Sequence, residues 1–218
     1  MRYLKFIGLL VAVSLISQAG SASADVLCKA APNKAGECST VSGDYASGSV
    51  FTAESASPKL TIDGGSTAYV TCETSKLIFK NTSTGSNTSG VAVSIEVTNL
   101  VFTGDCTTAG GTACDVSEPK GYVGSIKATN DIGGGTLTFN GASSLHIKCG
   151  VFLDCTYEPT AAGLDLSFTG GNPASLVASG QSFILGSPGV GCGTAATWDG
   201  SYVLAGTNKA VWVATKND

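Results

Sequence analysis

The chain has 218 residues, with 12 basic and 16 acidic side chains and a single histidine. Its only arginine is Arg2, so every basic residue beyond Lys5 is a lysine. Arginine is the usual fork for phosphate and carboxylate, and nucleic-acid binding needs a basic patch to displace counterions. Nucleic acid and anionic membrane surfaces are therefore set aside as partners.

Arg2 and Lys5 precede an apolar run of 11 residues, Phe6–Ile16, and Ala22-Ser23-Ala24 is a small-x-small cleavage site. These are the three parts of a secretory signal peptide over residues 1–24. The run is too short for a spanning helix, which needs about 20 apolar residues. Cleavage after Ala24 would leave 194 residues. Ten lysines would then face 16 acids, a net charge of −6. The new first residue would be Asp25 rather than a lipid-bearing cysteine. No second long apolar run follows, so no integral membrane segment is expected in the mature chain. The expected location is secreted or cell-surface associated.

Residues 25–48 contain two cysteines but little pattern, and read as an irregular N-terminal extension. Residues 49–218 read as a single β-sandwich domain. Short alternating runs recur between Gly-rich turns, which is the pattern of antiparallel sheets. The clearest is Val91–Val97, with Val91, Val93, Ile95 and Val97 on one face. The phase then slips to Leu100 and Phe102, so a bulge or break is expected near Thr98-Asn99. Other expected strands are Ser49–Ala53, Lys59–Ile62, Thr67–Cys72, Lys76–Lys80, Tyr122–Ala128, Thr136–Asn140 and Ser144–Cys149. After them come Asp154–Glu158, Leu164–Phe168, Ser175–Ala178, Ser182–Leu185, Ala195–Ala205 and Ala210–Ala214. The apolar-free stretch Asn81–Gly90 reads as a loop or hairpin tip. Asn81 and Asn87 stand in N-x-[ST] sequons, which matter only in a glycosylating host. Leu60–Cys72 and Leu137–Cys149 align without a gap. Each reads as a hairpin around Asp-Gly or Asn-Gly, through convergence or through duplication.

Eight cysteines, Cys28, Cys38, Cys72, Cys106, Cys114, Cys149, Cys155 and Cys192, imply four structural disulfides in an exported chain. Proximity pairs Cys28 with Cys38, Cys106 with Cys114 and Cys149 with Cys155, leaving Cys72 for Cys192. Their spacings are not those of structural zinc, so no metal and no cofactor is expected.

His146 is the one imidazole and lies opposite the apolar face of Leu145 and Ile147. No nucleophile elbow, zincin helix motif or phosphate loop accompanies it. Asp154, Glu158 and Asp165 are the candidates for a carboxylate pair, but their alternation marks them as solvated. Trp198 and Tyr202 share a strand face and are candidates for a ligand platform, against the alternative that they fill the core.

The segments GGNPASLVASGQSFIL and CGTAATWDGSYVL resemble the C-terminal signature of a group of exported, Gly/Ser/Thr-rich all-β actinobacterial proteins. VTC at Val70–Cys72, VFTGDC at Val101–Cys106, IKCGVFLDC at Ile147–Cys155 and LCKAAPNKAGEC fit the same group. The resemblance implies export and an all-β fold. The group carries no assigned catalytic residues, so no site is transferred. The expectation is an exported, non-catalytic structural or interaction protein at the cell envelope or extracellular matrix. A polysaccharide or protein of the envelope would be its partner. The alternatives are a carbohydrate- or ligand-binding β-sandwich and, behind it, a carboxylate-dependent hydrolase.

Overall fold

A computed structural model describes residues 24–34, 38, 43–65, 67–83, 92–117, 122–128, 133–140, 144–160 and 163–216. The signal-peptide segment 1–23 and Asn87 lie outside them. The described chain is an all-β antiparallel sandwich with four disulfides.

Its strands are β1 (Ala24–Cys28), β2 (Val50–Ala56), β3 (Lys59–Asp63), β4 (Tyr69–Asn81), β5 (Val93–Thr108), β6 (Ala113–Ser117) and β7 (Tyr122–Ala128). They continue with β8 (Gly135–Asn140), β9 (Leu145–Cys149), β10 (Leu153–Pro159), β11 (Gly163–Thr169), β12 (Ser175–Ser187), β13 (Ala195–Ala205) and β14 (Trp212–Lys216). Alternation drives them, because one face of each strand must be covered. In β5, Val93, Ile95 and Val97 are buried, and the phase moves to Leu100. The register against β4 slips between Ile78 and Phe79, which skips Thr98, so the bulge stands where the sequence placed it.

Four strands are long: β4, β5, β12 and β13. Each changes neighbour partway along. Val70 of β4 pairs with β3, whereas Thr74–Lys80 pair with β2. The start of β5 pairs with β7, and its end with β6. β12 goes from β11 to β10, and β13 from β3 to β2. Two closed circuits result. The first ring runs β4-β5-β7-β8-β11-β12-β13-β2, and the second runs β4-β5-β6-β9-β10-β12-β13-β3. The β4–β5 and β12–β13 pairs are common to both. Among the described residues every strand of both rings has a strand neighbour on each side. β1 and β14 pair separately and pack on the first ring beside β5 and β7.

Two further bulges lie where the rings meet. Register shifts fall between Cys72 and Thr74 in β4 and between Ala178 and Gln181 in β12. Expected strands 67–72 and 76–80 are thus two halves of β4, and 175–178 and 182–185 are two halves of β12. Each phase slip that read as a strand end is a bend in a continuous strand.

Three further expectations are corrected. Residues 24–28 are a strand rather than irregular chain, because β14 offers them a partner. Leu60–Cys72 is a hairpin, but β8 and β9 do not pair with each other. β8 lies between β7 and β11, and β9 between β6 and β10. The third correction concerns the disulfides. Cys28–Cys38 is as expected, but the others are Cys72–Cys106, Cys114–Cys149 and Cys155–Cys192. The reason is register. Cys72, Cys106, Cys114 and Cys149 stand opposite one another in one row across β4, β5, β6 and β9. Joining Cys106 to Cys114 would strand Cys72 and Cys149 three spacings apart, about 14 Å, beyond the reach of a disulfide. Bridging the outer neighbours uses all four.

All eight cysteines are bridged, which suits an oxidising environment. Non-reducing peptide mapping is predicted to recover Cys72–Cys106 and Cys114–Cys149. Recovery of Cys72 joined to Cys192 would contradict the register. Replacing Cys72 and Cys106 together by alanine opens a loop with a sequence separation of 34. The chain-entropy model puts the loss at about 4 kcal/mol, measurable by urea unfolding.

Candidate functional site

Trp198 and Tyr202 are not surface platforms. Both are buried in β13, with their rings edge to face at 5.8 Å. Ser75, Ser55 and Tyr202 form one row across β4, β2 and β13. Serine at position 55 is small enough for the Tyr202 ring to reach across it. The Tyr202 hydroxyl shares a hydrogen bond with the buried Ser75 hydroxyl. Ser55 Oγ and Trp198 Nε1 are also buried, without a protein partner. A Cβ at Gly200 would stand 3.6 Å and 3.4 Å from them. The waist between the rings is thus a polar patch inside an apolar core.

His146 lies on the outer face, as its alternation implied. Its Nε2 is 2.8 Å from Asp154 Oδ1 on β10, and Lys148 Nζ is 3.5 Å from Asp154 Oδ2. The hydrogen bond from His146 holds the Asp154 carboxyl below its ordinary range, and Lys148 acts in the same direction. Both side chains are more than 40% exposed, so water screens the pair and its stabilisation is small. Glu158 lies four residues further along β10, about 13 Å away at the rise of an extended strand. That exceeds the separation at which two carboxylates share a glycosidic bond. Asp165 is on β11 of the first ring, where it accepts a hydrogen bond from Thr138. The structure does not bring these three acids together. Among the described residues, no three His, Cys, Asp or Glu side chains converge as a metal site.

A groove of about 560 Å³ lies elsewhere, at the first-ring end. β1 and residues 44–47 form one wall, and the end of β4 with the start of β5 forms the other. Tyr45 anchors the first wall. Its ring packs edge to face on Phe51 at 4.9 Å, and its hydroxyl donates to the Ala210 carbonyl. Burial pushes the Tyr45 hydroxyl up from its ordinary value, which keeps it a donor. Asn81 ties the two walls together. Its amide donates to the Tyr45 carbonyl at 2.9 Å, and its Oδ1 accepts from the Ser83 amide. Asn81 is therefore the buried end of β4, and its committed amide is not offered for glycosylation. Asp25, Asp44, Ser47, Ser83 and Ser94 also line the groove. Such a lining suits a neutral polyhydroxylated or cationic ligand. Sequence reasoning missed it because four separate segments supply it. A second groove of about 370 Å³ lies at the opposite end, lined by Ala68, Ala109, Phe152 and Leu153 among others.

Comparison of the chain with family models, curated proteins and solved structures found no significant match.

Two outcomes are predicted. Tyr202→Phe leaves the Ser75 hydroxyl buried without its partner and should cost about 1–3 kcal/mol in denaturant unfolding. His146→Asn removes the main cause of the Asp154 shift, so the carboxyl should titrate nearer the ordinary value of about 3.9. Carboxyl-detected NMR reads this directly. A depressed carboxyl pKa supports folding above the unfolded pKa and loses that support as pH falls through the folded one. His146→Asn should therefore reduce acid sensitivity in that window only.

Proposed function

We propose that the chain is exported and acts outside the cytoplasm as a non-catalytic structural or interaction protein of the cell envelope or extracellular matrix. The carrying observation is that every cysteine is used to strap a β body whose two rings close on themselves. Among the described residues every ring strand has a strand neighbour on both sides, and bridges resist reduction and reshuffling where no cytosolic reductant operates. The signal-peptide pattern at residues 1–24 supports the same reading, as does the resemblance to exported actinobacterial proteins. The acidic, lysine-only mature chain favours partners that are neither nucleic acid nor strongly anionic.

One observation favours a second reading, a carbohydrate- or ligand-binding sandwich. Asp25, Asp44 and three serines are among the residues that line the 560 Å³ groove. It replaces Trp198 and Tyr202 as the place where such a ligand would sit.

The test is fractionation of the native host into cytosol, envelope and medium, followed by crosslinking and identification of what co-purifies. The proposal predicts the chain in envelope or medium, beginning at Asp25, with all cysteines oxidised. An intact N-terminus in the cytosol would contradict it. Titration calorimetry with envelope polysaccharide, using Asp44→Ala as the control, separates the second reading from the first.

A further inference from the structure

The second ring ends in four hairpin turns, and they meet at one pole. The connections β3–β4, β5–β6, β9–β10 and β12–β13 occupy residues 64–68, 109–112, 150–152 and 188–194. Backbone hydrogen bonds link three of the four junctions between them. The Ala109 amide donates to Tyr69, the Asp154 amide to Val190 and the Thr194 amide to Asp63. None of these 19 positions carries an ionisable side chain, and eight are glycine. Ionisable residues begin only on the strands below, at Asp63, Asp105, Asp115, Lys148 and Asp154. That belt is mainly acidic.

The pole is apolar as well as uncharged. Val151 and Phe152 are adjacent at the β9–β10 tip and are 81% and 66% exposed, with Val190 at 60% on the neighbouring turn. Other exposed large apolar residues, such as Val203, are scattered on strand faces, which is ordinary for a surface. The pole is also held in place. Cys72–Cys106, Cys114–Cys149 and Cys155–Cys192 lie directly beneath it. Gly65 and Gly193 allow two turns to press together, since a Cβ on Gly193 would stand 2.1 Å from the Asp63 carbonyl oxygen.

We propose that this pole is a lipid-contact surface that lays Val151, Phe152 and Val190 into the interface of a membrane with uncharged or zwitterionic headgroups. Four turns can approach such a layer without burying a charge, and apolar insertion is the driving term. A specific protein partner is served less well. Its anchors are typically Trp, Tyr and Arg within a hydrogen-bonding rim, and the pole offers only hydroxyls. The acidic belt repels an anionic layer. The inference deepens the extracellular reading by naming a partner, but lipid binding in vitro does not depend on the compartment. Failure of one is therefore distinguishable from failure of the other.

The experiment uses the oxidised mature chain with phosphatidylcholine vesicles in a sedimentation assay. Wild type should co-sediment. Phe152→Asp and Val151→Asp should each lower the partition coefficient about tenfold, while Val203→Thr should not. Both tip residues are exposed, so circular dichroism should show the folded spectrum throughout. Adding phosphatidylserine should weaken binding, and salt should restore it. Absence of co-sedimentation, or equal binding by the tip variants, would overturn the proposal. So would a wild-type dimer in analytical ultracentrifugation that Phe152→Asp converts to monomer while vesicles bind neither. The pole would then be a contact between copies.

Discussion

The shared strands β4, β5, β12 and β13 each hydrogen-bond in both rings, and almost everything else in the molecule is positioned by them. A strand that serves two closed circuits must bend where they join, and bulges supply the bend at Cys72/Thr74 and Ala178/Gln181. Bending there turns Val70 and Cys72 into the second ring while Ser75, Leu77 and Phe79 face the first. One continuous core fills both. The two ends of this double ring therefore differ in kind. One is covered by β1 and β14 and opens as a groove. The other is a rim of uncharged turns.

The disulfides follow from the same geometry. Hairpin turns built of Gly, Ala and Thr bury little apolar surface, so the second-ring end has little of its own to hold it. Three of the four bridges lie there. Two of them divide a single row of four cysteines, and the row exists because β6 and β9 complete the ring beside β5. Removing a bridge should therefore loosen the rim before it disturbs the first ring. The waist is the counterpart inside the core. Tyr202 and Ser75 satisfy each other across Ser55, which ties β13 to β4 through side chains as well as through β2.

Much of this was legible in the residues. Alternation located most strands, the Leu100 phase slip located a bulge, and the position of His146 opposite Leu145 and Ile147 gave its exposure. Two kinds of feature were not legible. A phase slip looks the same in sequence whether a strand ends or bends, so β4 and β12 each read as two strands. Non-local partners leave no local trace, so Cys106 seemed destined for Cys114, its actual neighbour in register, when the bridges run to the strands on either side. The Trp198 and Tyr202 pair failed as a platform for a related reason. Sharing a face does not say whether that face is inside. Val151-Phe152 did carry a signal, two large apolar residues in a turn between cysteines, but its meaning depends on three other turns far away in sequence.

If the shared strands make the two rings one cooperative body, both halves of β4 must open together. Native-state hydrogen exchange measures this directly. Amides of Tyr69–Cys72, in the second ring, and of Thr74–Asn81, in the first, are predicted to give the same opening free energy, close to that of global unfolding. Two values separated by several kcal/mol, with one half exchanging while the other stays protected, would contradict the account.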